Sequence, residues 1–506
     1  MSRYILAHDL GTSGNKATLY DLNGKLCSSS VYSYETHYPS HGWVEQDPED
    51  WWKAVCISTA ELLQQAGIDR GQVACICFSA QMMGCLPVDR EGRPLRNSII
   101  WADTRSVAQA EKMIDAIGMK EAYRITGHRI SPNYSAAKIL WVRDNEPGIF
   151  KSTYKVLHAK DFVIYRLTGK FLTDYSDASG MNLLDLTEKK WSGAILSAIG
   201  LDEDILPELH PSTDIAGRLT HEAAEATGLL QGTPVVVGGG DGSCAAAGAG
   251  VFDEGKTYNV VGSSSWVATA SVKPLFDEEM RTFNWVHLDE RLYSPCGTMQ
   301  TAGYSLNWLK NTLCGLEVLQ AEKENTSPYK LIDKAIEKSE PGAGGLLFLP
   351  YLLGERSPRW NPDAKGAFVG LKMTHTKADI YRSVMEGVAF NLRVIIEIMQ
   401  KILPIQDVIL IGGGAKGRIW MQILADIWQK TVQIPEFLEE ATSMGAAVCG
   451  GVGVGAFEDF SVINRFNRIN TVIRPRPENK ETYDRLYEVF NRAYEALVPV
   501  YGMLGN

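Results

Sequence analysis

One acidic side chain ends a glycine run near the middle of the chain. Residues 235–243 read Val-Val-Val-Gly-Gly-Gly-Asp-Gly-Ser. The three valines predict a buried strand, and the glycines let a backbone or a ligand approach closely because no Cβ stands in the way. Asp241 follows at the mouth of this loop. An aspartate after glycine is more often a turn residue than a catalytic group, so the position alone leaves both interpretations open.

A second group that could do chemistry lies near the amino terminus. Asp9 is followed by Thr12, Ser13 and Lys16. A carboxylate with small hydroxyls and a lysine can hold hydrated Mg²⁺ beside the β- and γ-phosphates of a nucleotide. The alternative is an aspartate that simply begins a turn. The stretch lacks the spacing of a P-loop and the glycine fingerprint of a dinucleotide-binding fold.

Two further loops are rich in small residues. Residues 262–265, Gly-Ser-Ser-Ser, could cradle phosphates through their backbone N–H groups, and a plain hairpin turn explains them nearly as well. Residues 412–414 are three glycines between a predicted strand and a predicted helix. That arrangement favours a nucleotide, since a helix start carries unpaired N–H groups, although tight strand–helix packing also accounts for it.

The elements around these loops suggest two related halves. Residues 4–8 and 17–22 predict strands on either side of the first glycine-rich turn, and Asn23-Gly24 predicts a hairpin into a third strand. Residues 256–271 again predict strand, small-residue turn and strand. We therefore predict two α/β domains, residues 1–245 and residues 246–506.

Other strands and helices would frame the loops. Residues 73–78 and the run beginning at Ser98 predict strands, and ligands gather at the carboxyl ends of such strands. Residues 48–66 predict a helix with Asp47 as its N-cap. A stripe of aliphatic side chains every fourth residue in the helix predicted at 377–401 indicates a core face.

Composition excludes several classes of protein. The 506 residues carry a net charge of −10 without a basic cluster, which disfavours nucleic acid as a partner. We expect no membrane span and no signal peptide, because no apolar run reaches the necessary length and a charge follows the start at once. The nine cysteines lack metal-site spacing and predict buried free thiols in a reducing cytoplasm.

A series of motifs runs along the chain in order, at residues 9–13, 43–48, 81–82, 101–105, 135–142, 238–241, 262–264, 349–356, 366–371, 386–388 and 412–415. Together these motifs resemble those of the FGGY family of carbohydrate kinases, and within it the xylulokinase group. The resemblance covers nearly the whole chain. It implies two ribonuclease-H-like domains of the actin and sugar-kinase superfamily, closing around a cleft.

The resemblance also implies site residues. Asp241 would be the general base that accepts the proton of the attacking sugar hydroxyl, and Asp9 and Asp241 would bind Mg²⁺. ATP would contact Thr12, Ser13, Lys16, Gly262, Ser263, Ser264, Gly303, Asn307, Gly413, Gly414 and Ala415. The sugar would contact Met82, Met83, Trp101, Asp103, Gly242 and Trp266.

Two departures concern the substrate. Met83 and Gly242 stand where xylulokinases carry histidine and asparagine, so a pocket with fewer polar groups is expected. A ketose, with the pentulose D-xylulose as first candidate, is the expected substrate; a deoxyketose, a tetrulose, a polyol and gluconate are alternatives. A homodimer is left open. The rival classes are an actin-like filament or chaperone ATPase, a sugar sensor without catalysis and a dehydrogenase.

Overall fold

The computed structural model describes residues 3–504. Two seven-stranded sheets dominate it, and helices cover their faces. The strands are β1 Tyr4–Leu10, β2 Gly14–Asp21, β3 Leu26–Ser33, β4 Glu45–Gln46, β5 Val73–Ala80, β6 Leu86–Val88, β7 Ser98–Ile99, β8 Lys155–Leu157, β9 Leu172–Asp174, β10 Leu184–Asp185, β11 Lys190–Trp191, β12 Glu208–His210, β13 Ile215–Arg218, β14 Pro234–Val236, β15 Gly239–Gly240, β16 Thr257–Val261, β17 Ser265–Thr269, β18 Phe283–Val286, β19 Tyr293–Met299, β20 Leu347–Leu349, β21 Ala367–Val369, β22 Asp407–Ile411, β23 Thr431–Pro435 and β24 Ile469–Ile473. The α-helices are α1 Pro48–Ala66, α2 Val107–Ile117, α3 Met119–Thr126, α4 Ser135–Asn145, α5 Pro147–Ser152, α6 Ala159–Thr168, α7 Tyr175–Ala178, α8 Gly193–Ile199, α9 His221–Thr227, α10 Asp241–Gly248, α11 Gly303–Leu313, α12 Gly315–Glu324, α13 Pro328–Ile336, α14 Lys377–Gln400, α15 Arg418–Trp428, α16 Ala441–Gly453, α17 Ile463–Phe466 and α18 Lys480–Tyr501.

The first sheet is built on β1. Its strand order is β13-β14-β5-β1-β2-β3, with β15 also paired to β5. β1 runs antiparallel to β2 and parallel to β5, and β15 is parallel to β5. The carboxyl ends of β1, β5 and β15 therefore share one edge of the sheet, the edge at which ligands bind in α/β folds.

The second sheet repeats the arrangement of the first. Its order is β18-β19-β17-β16-β22-β23-β24, and β16 is antiparallel to β17 and parallel to β22. β16, β17 and β22 thus correspond to β1, β2 and β5. The two-domain α/β architecture expected from the repeated strand–turn–strand pattern is confirmed.

Several elements were predicted correctly from local sequence patterns. Helix α1 spans the predicted residues, and the Asp47 side chain accepts a hydrogen bond of 2.9 Å from the backbone N–H of Glu49. The predicted stripe of α14 is buried as well. These elements have strong caps or long periodic patterns, which are the most reliable sequence signals.

Helices α10 and α16 join the two halves by packing closely against each other. A Cβ on Gly248 would lie 1.7 Å from the carbonyl oxygen of Ala441, and a Cβ on Gly445 would lie 1.9 Å from that of Cys244. Only glycine permits such an approach of two backbones. The domain boundary that we propose at 245/246 falls inside α10, so this helix itself is the connection between the halves.

Two further expectations concern membrane-spanning helices and the burial of the cysteines. Across residues 3–504, none of the helices combines the length and the apolarity needed to cross a bilayer. All nine cysteines are free, and seven are buried as predicted; Cys56 is partly exposed and Cys27 is exposed, so the expectation of burial is wrong for Cys27.

Candidate active site

A cavity of about 490 Å³ lies between the two sheets. The first half contributes Thr12, Met82, Met83, Trp101, Asp241 and Gly242 to its lining. The second half contributes Tyr258, Ser263–Ser265, Trp266, Ala268, Phe283, Trp285, Ser294, Cys296, Thr298–Gln300, Tyr304, Leu353 and Arg356. A second cavity, of about 630 Å³, lies at the opposite edge of the second sheet, beside Thr257 and Asp407, and contains none of the predicted site residues.

Asp241 is the acidic group of the shared cavity. It begins α10 directly after β15, and its Oδ1 accepts a hydrogen bond of 2.7 Å from the backbone N–H of Gly242. The carboxylate is accessible from the cavity, but the surrounding protein deprives it of bulk water. This loss of hydration, followed by the negative charge of Asp9, raises the pKa of Asp241 to about 7.

A buried polar network fixes the loop that carries Asp241. The backbone N–H of Gly240 donates to Ser176 Oγ at 3.0 Å, and the Ser176 hydroxyl donates to Asp174 Oδ2 at 2.5 Å. Asp174 in turn pairs with Lys160, whose Nζ lies 3.2 Å from Asp174 Oδ1. Since all three side chains are buried and contact one another, the backbone before Asp241 is held in one position.

Asp9 ends β1 at the same edge of the first sheet. Its Oδ1 accepts a hydrogen bond of 2.9 Å from Ser79 Oγ, and burial raises the pKa of the Asp9 carboxyl. Its other oxygen accepts no hydrogen bond from the residues that the structure describes. Asp9 lies in β1 and Asp241 directly follows β15, and these two strands flank β5, so both carboxylates belong to the first half and lie on the same side of the cleft.

The loop between β1 and β2, residues 10–15, is called the first hairpin below. Thr12 Oγ1 accepts a hydrogen bond of 2.9 Å from the indole N–H of Trp101, which ties the hairpin to the turn after β7. Ser13 is exposed beside it. Lys16 does not line the cavity; its Nζ lies 3.4 Å from Glu440 Oε1 and links the two halves.

The loop between β16 and β17, residues 261–265, is called the second hairpin. The backbone N–H of Gly262 donates to the carbonyl of Ser264 at 3.0 Å, and that of Gly303 donates to the carbonyl of Gly262 at 2.9 Å. A Cβ on Gly303 would lie 2.4 Å from that same oxygen, and a Cβ on Gly414 would lie 2.3 Å from Val261 Cγ1. The start of α11 and the loop after β22 therefore both contact this hairpin.

The other residues predicted for the nucleotide lie around the second hairpin. Asn307 is partly exposed on α11, four residues after Gly303. Gly413 is exposed, whereas Ala415 is buried behind the loop. The structure therefore brings the predicted adenosine residues to the same hairpin as the predicted phosphate residues.

Met83 occupies an unusual backbone position in the lining of the cavity. Its φ is 62°, a left-handed conformation that costs free energy for a residue with a side chain. The buried Lys138 Nζ donates to the carbonyl of Met83 at 2.7 Å, and also to those of Ile100 at 2.8 Å and Asn133 at 2.6 Å. Burial lowers the pKa of Lys138 to about 7. Lys138 lies in a motif that the sequence analysis noted, but its part in shaping the pocket was missed.

Asp103 and Gly242 were both predicted to contact the sugar. The Asp103 side chain is fully buried, its Oδ2 lies 2.7 Å from Arg105 Nη2, and the backbone N–H of Val44 donates to it at 2.6 Å. Asp103 does not line the cavity, and its carboxylate instead fixes the loop after Trp101. Gly242 does line the cavity, and a Cβ there would meet no atom within 4 Å, so space is open at this position.

Comparison with known proteins decides the family. The model of the FGGY family of carbohydrate kinases, N-terminal domain, matches residues 4–248, and that of the C-terminal domain matches residues 257–454. The chain belongs to the FGGY family of carbohydrate kinases. It is therefore a carbohydrate kinase, and the resemblance inferred from its motifs is confirmed.

Relatives of this kinase include enzymes with two different substrates. The chain is 34% identical over 494 residues to xylulose kinase of Bacillus subtilis, covering 97% of both chains. It is 31% identical over 508 residues to gluconokinase of Bacillus licheniformis, covering 100% of this chain and 98% of that one. The crystal structure of xylulose kinase from Lactobacillus acidophilus superposes with a TM-score of 0.92 at 28% identity, covering 99% of this chain and all of the other.

Apart from Trp266, one wall of the kinase cavity was not predicted from the sequence. On β17, β18 and β19, every second side chain faces the cavity, and the strand register places these side chains beside one another. They are Trp266 and Ala268, Phe283 and Trp285, and Ser294, Cys296 and Thr298. We call this set the β17–β19 face. The alternation is visible in residues 283–285 and 294–298, but only the pairing of the strands shows which side is inward.

Proposed function

We propose that the kinase transfers the γ-phosphoryl group of ATP to a hydroxyl of a small open-chain sugar, with Asp241 as the general base. The observation that carries this proposal is the position of Asp241. It shares one cavity with Thr12 of the first hairpin and with Ser263 and Ser264 of the second. A substrate hydroxyl beside Asp241 would thus lie next to both loops predicted to hold phosphates.

Asp241 suits a base that works near neutral pH. It would accept the proton of the substrate hydroxyl while the oxygen of that hydroxyl bonds to the γ-phosphorus and the bond to ADP breaks. A pKa of about 7 leaves a large deprotonated fraction at neutral pH and keeps the carboxylate basic enough to take the proton. The hydrogen bond from Gly242 N–H to Oδ1 leaves Oδ2 available for the substrate.

The phosphates would lie between the two hairpins. The second hairpin offers backbone N–H groups and the hydroxyls of Ser263 and Ser264, and the first offers Thr12 and Ser13. Asp9, with one carboxylate oxygen free of hydrogen bonds from residues 3–504, and Asp241 have the hard oxygen ligands that suit Mg²⁺. When bound, Mg²⁺ would offset the charge of the phosphates, which is useful in a protein whose net charge is −10.

Two substrate classes are consistent with the family relationship. The xylulose kinase relatives favour a ketopentose, and D-xylulose is the first candidate from the sequence motifs. The gluconokinase relative favours a sugar acid. The open space at Gly242 and the thioether of Met83 remove two polar contacts that the motif comparison leads us to expect for D-xylulose.

An Asp241→Asn variant tests the proposed chemistry. The amide keeps the size of the side chain but cannot accept the proton, so we expect kcat to fall by about 10²–10⁴-fold. Binding of a nonhydrolysable ATP analogue, followed by calorimetry, should change little. Asp253→Asn, at a surface aspartate paired with Lys256, is the matched control and should keep full activity. Near wild-type turnover in Asp241→Asn would contradict the assignment of Asp241 as the general base.

A further inference from the structure

The first turn of α10 carries Asp241, yet the side chains of that turn do little to hold it. Its N-cap residue is Gly240, which has no side chain to accept a hydrogen bond from the start of the helix. Gly242 follows Asp241, and a Cβ there would meet no atom within 4 Å, so no side-chain packing fixes its flexible backbone. Hydrogen bonds from outside the helix are left to hold this turn.

Two such hydrogen bonds lie on either side of Asp241. The backbone N–H of Gly240 donates to Ser176 Oγ at 3.0 Å, and Ser176 belongs to the first half. The carbonyl oxygen of Gly242 accepts a hydrogen bond of 2.8 Å from the hydroxyl of Tyr258, which lies on β16 in the second half. Asp241 therefore lies between two residues that are held from opposite halves of the protein.

The hydrogen bond of Tyr258 has one possible direction. The indole Nε1 of Trp266 lies 2.9 Å from the Tyr258 hydroxyl oxygen. An indole N–H can only donate and a carbonyl oxygen can only accept. The Tyr258 hydroxyl must therefore accept from Trp266 and donate to Gly242. A chain of two hydrogen bonds thus runs from the indole, through the phenol, to the backbone after Asp241.

The indole at the start of this chain faces the cavity. Trp266 is half-buried and lines the cavity, whereas the side chain of Tyr258 is fully buried in its wall. The register of β16 and β17 pairs Val260 with Trp266 and Tyr258 with Ala268, so the two aromatic side chains are diagonal neighbours on the same face of the sheet. A substrate packed against Trp266 would restrain the group that orients the Tyr258 hydroxyl.

We propose that Tyr258 is a positioning residue for Asp241, and that Trp266 fixes the direction of its hydrogen bond. This inference rests on the proposed role of Asp241 as the general base. The backbone N–H of Gly242 donates to Asp241 Oδ1 at 2.7 Å, so a shift of the Gly242 backbone would move the carboxylate as well. A base must lie within hydrogen-bond distance of the proton that it accepts, so such a shift lowers kcat.

This arrangement makes the position of the base depend on the second half. Asp241 belongs to the first half, but one of the two external supports of its turn comes from β16. If the halves separate at this point, Gly242 loses the Tyr258 hydrogen bond and only the support at Gly240 remains. The base is then fully positioned only while the second half contacts the start of α10.

The alternative role for Tyr258 is direct contact with the substrate. Its proton is already donated to Gly242, and one lone pair of its oxygen accepts from Trp266. Only one lone pair therefore remains for a substrate hydroxyl. The two roles predict different kinetics, because a substrate ligand changes KM for the sugar and a positioning residue changes kcat.

The Tyr258→Phe variant removes the hydroxyl and keeps the ring. ADP release is measured with the best substrate among D-xylulose, D-gluconate, a tetrulose and a polyol. We expect kcat to fall by roughly 10-fold, while KM for the sugar and KM for ATP stay within about twofold of wild type. A wild-type kcat, or a rise in either KM at unchanged kcat, would overturn the positioning role.

Tyr123→Phe is the matched control. The buried Tyr123 hydroxyl accepts a hydrogen bond of 3.2 Å from the backbone N–H of Asp277 and donates to the carbonyl of Thr282 at 2.9 Å. It therefore makes the same kind of contact between the halves, but it does not line the cavity. We expect a kcat close to wild type. An equal fall of kcat in both variants would assign the effect to contact between the halves in general and overturn the proposal.

The Trp266→Phe variant tests the chain of hydrogen bonds. Loss of the indole N–H leaves the Tyr258 hydroxyl free to turn, and we expect kcat to fall by roughly threefold. The smaller ring also changes KM for the sugar. In the Tyr258→Phe background, the effect of Trp266→Phe on kcat should vanish and its effect on KM should remain, because only the first depends on the hydroxyl. Effects on kcat that multiply independently would contradict the chain.

Hydrogen exchange tests the support of the turn without any substrate. The segment 240–248 should exchange faster in Tyr258→Phe than in wild type, because local opening of the first turn becomes easier, and should be unchanged in Tyr123→Phe. Unchanged exchange in Tyr258→Phe would show that the hydroxyl does not hold the turn. Should Tyr258→Phe fail to fold, Trp266→Phe gives both readouts, and a wild-type kcat with wild-type exchange in that variant would overturn the proposal.

The two proposals fail in different ways. If Asp241→Asn loses turnover but Tyr258→Phe keeps the wild-type kcat, the positioning role is wrong and the assignment of the base stands. If Asp241→Asn keeps near wild-type turnover, the assignment of the base is wrong, whatever Tyr258→Phe does.

Discussion

The first and second hairpins occupy equivalent positions in two sheets of the same topology, yet the strands beside them carry different kinds of side chain. Beside the first hairpin, Asp9 on β1 pairs in register with Lys16 on β2. At the matching register of the second, Val260 on β16 pairs with Trp266 on β17. A charged pair in one half thus corresponds to an apolar pair in the other.

The two sides of the cleft therefore supply different chemical groups. Asp9 lies in the first sheet and Asp241 directly follows it, so the negative charge that would bind Mg²⁺ and accept the proton lies on one side. The second side supplies backbone N–H groups at its hairpin and aromatic surface on the β17–β19 face. The two carboxylates come from the first half and the second hairpin comes from the second half, so we expect phosphoryl transfer to require the two halves together.

The sharpest test of this division is removal of the charge at Asp9. In Asp9→Asn, we expect kcat to fall by roughly 100-fold, because one preorganised charge at the phosphates is lost. The Mg²⁺ concentration for half-maximal rate should rise as well. The measurement is ADP release titrated with Mg²⁺. Val260→Thr, the polar change at the matching register beside the second hairpin, is the control and should leave the Mg²⁺ dependence unaltered. An unchanged Mg²⁺ dependence in Asp9→Asn would contradict the assignment of the Mg²⁺-binding charge to the first half.

A smaller effect is expected where α11 supports the second hairpin. A Cβ at residue 303 would overlap the carbonyl oxygen of Gly262, so Gly303→Ala must displace the hairpin backbone. We expect KM for ATP to rise by roughly 10-fold, since misplaced groups weaken binding and orientation. Gly315→Ala, at the start of α12 with no atom within 4 Å of the new Cβ, is the control. Equal KM values for the two variants would show that the hairpin does not hold the nucleotide.

The smallest effect is expected for the pair that joins the halves. Lys16 and Glu440 are partly exposed, and such pairs contribute only about 0.2–1 kcal/mol. If Lys16 leaves Glu440 to contact phosphate, Lys16→Gln should raise KM for ATP by roughly threefold, whereas Glu440→Gln should lower it slightly. Changes of the same sign in the two variants would show that the pair acts only as a structural link.

The sequence predicted those features that depend on local signals. The cap at Asp47, the strand–turn–strand pattern and the stripe of α14 each lie within one element, and the structure agrees with them. The glycine loops were predicted in the right order, and most of the predicted sugar-pocket side chains line one cavity. The motifs at residues 9–13, 238–241 and 412–415 carry this information because each lies at the end of a strand.

Other features depend on partners far away in the chain and were not predictable. Asp103 looked like a ligand group at a strand end, but Arg105 and the backbone of Val44 use its oxygens. That Asp9 and Asp241 share an edge follows only from the pairing of β15 with β5.

The pH dependence of turnover tests the role of Asp241 most directly. Its pKa is raised to about 7, and a general base acts only when deprotonated, so kcat/KM for the sugar substrate should rise with pH to a plateau above about pH 7. Below that value the rate should fall by about tenfold for each pH unit. The residual activity of Asp241→Asn should lack this acid limb. A flat profile in the wild-type enzyme, or an acid limb that persists unchanged in Asp241→Asn, would contradict the assignment of Asp241 as the base.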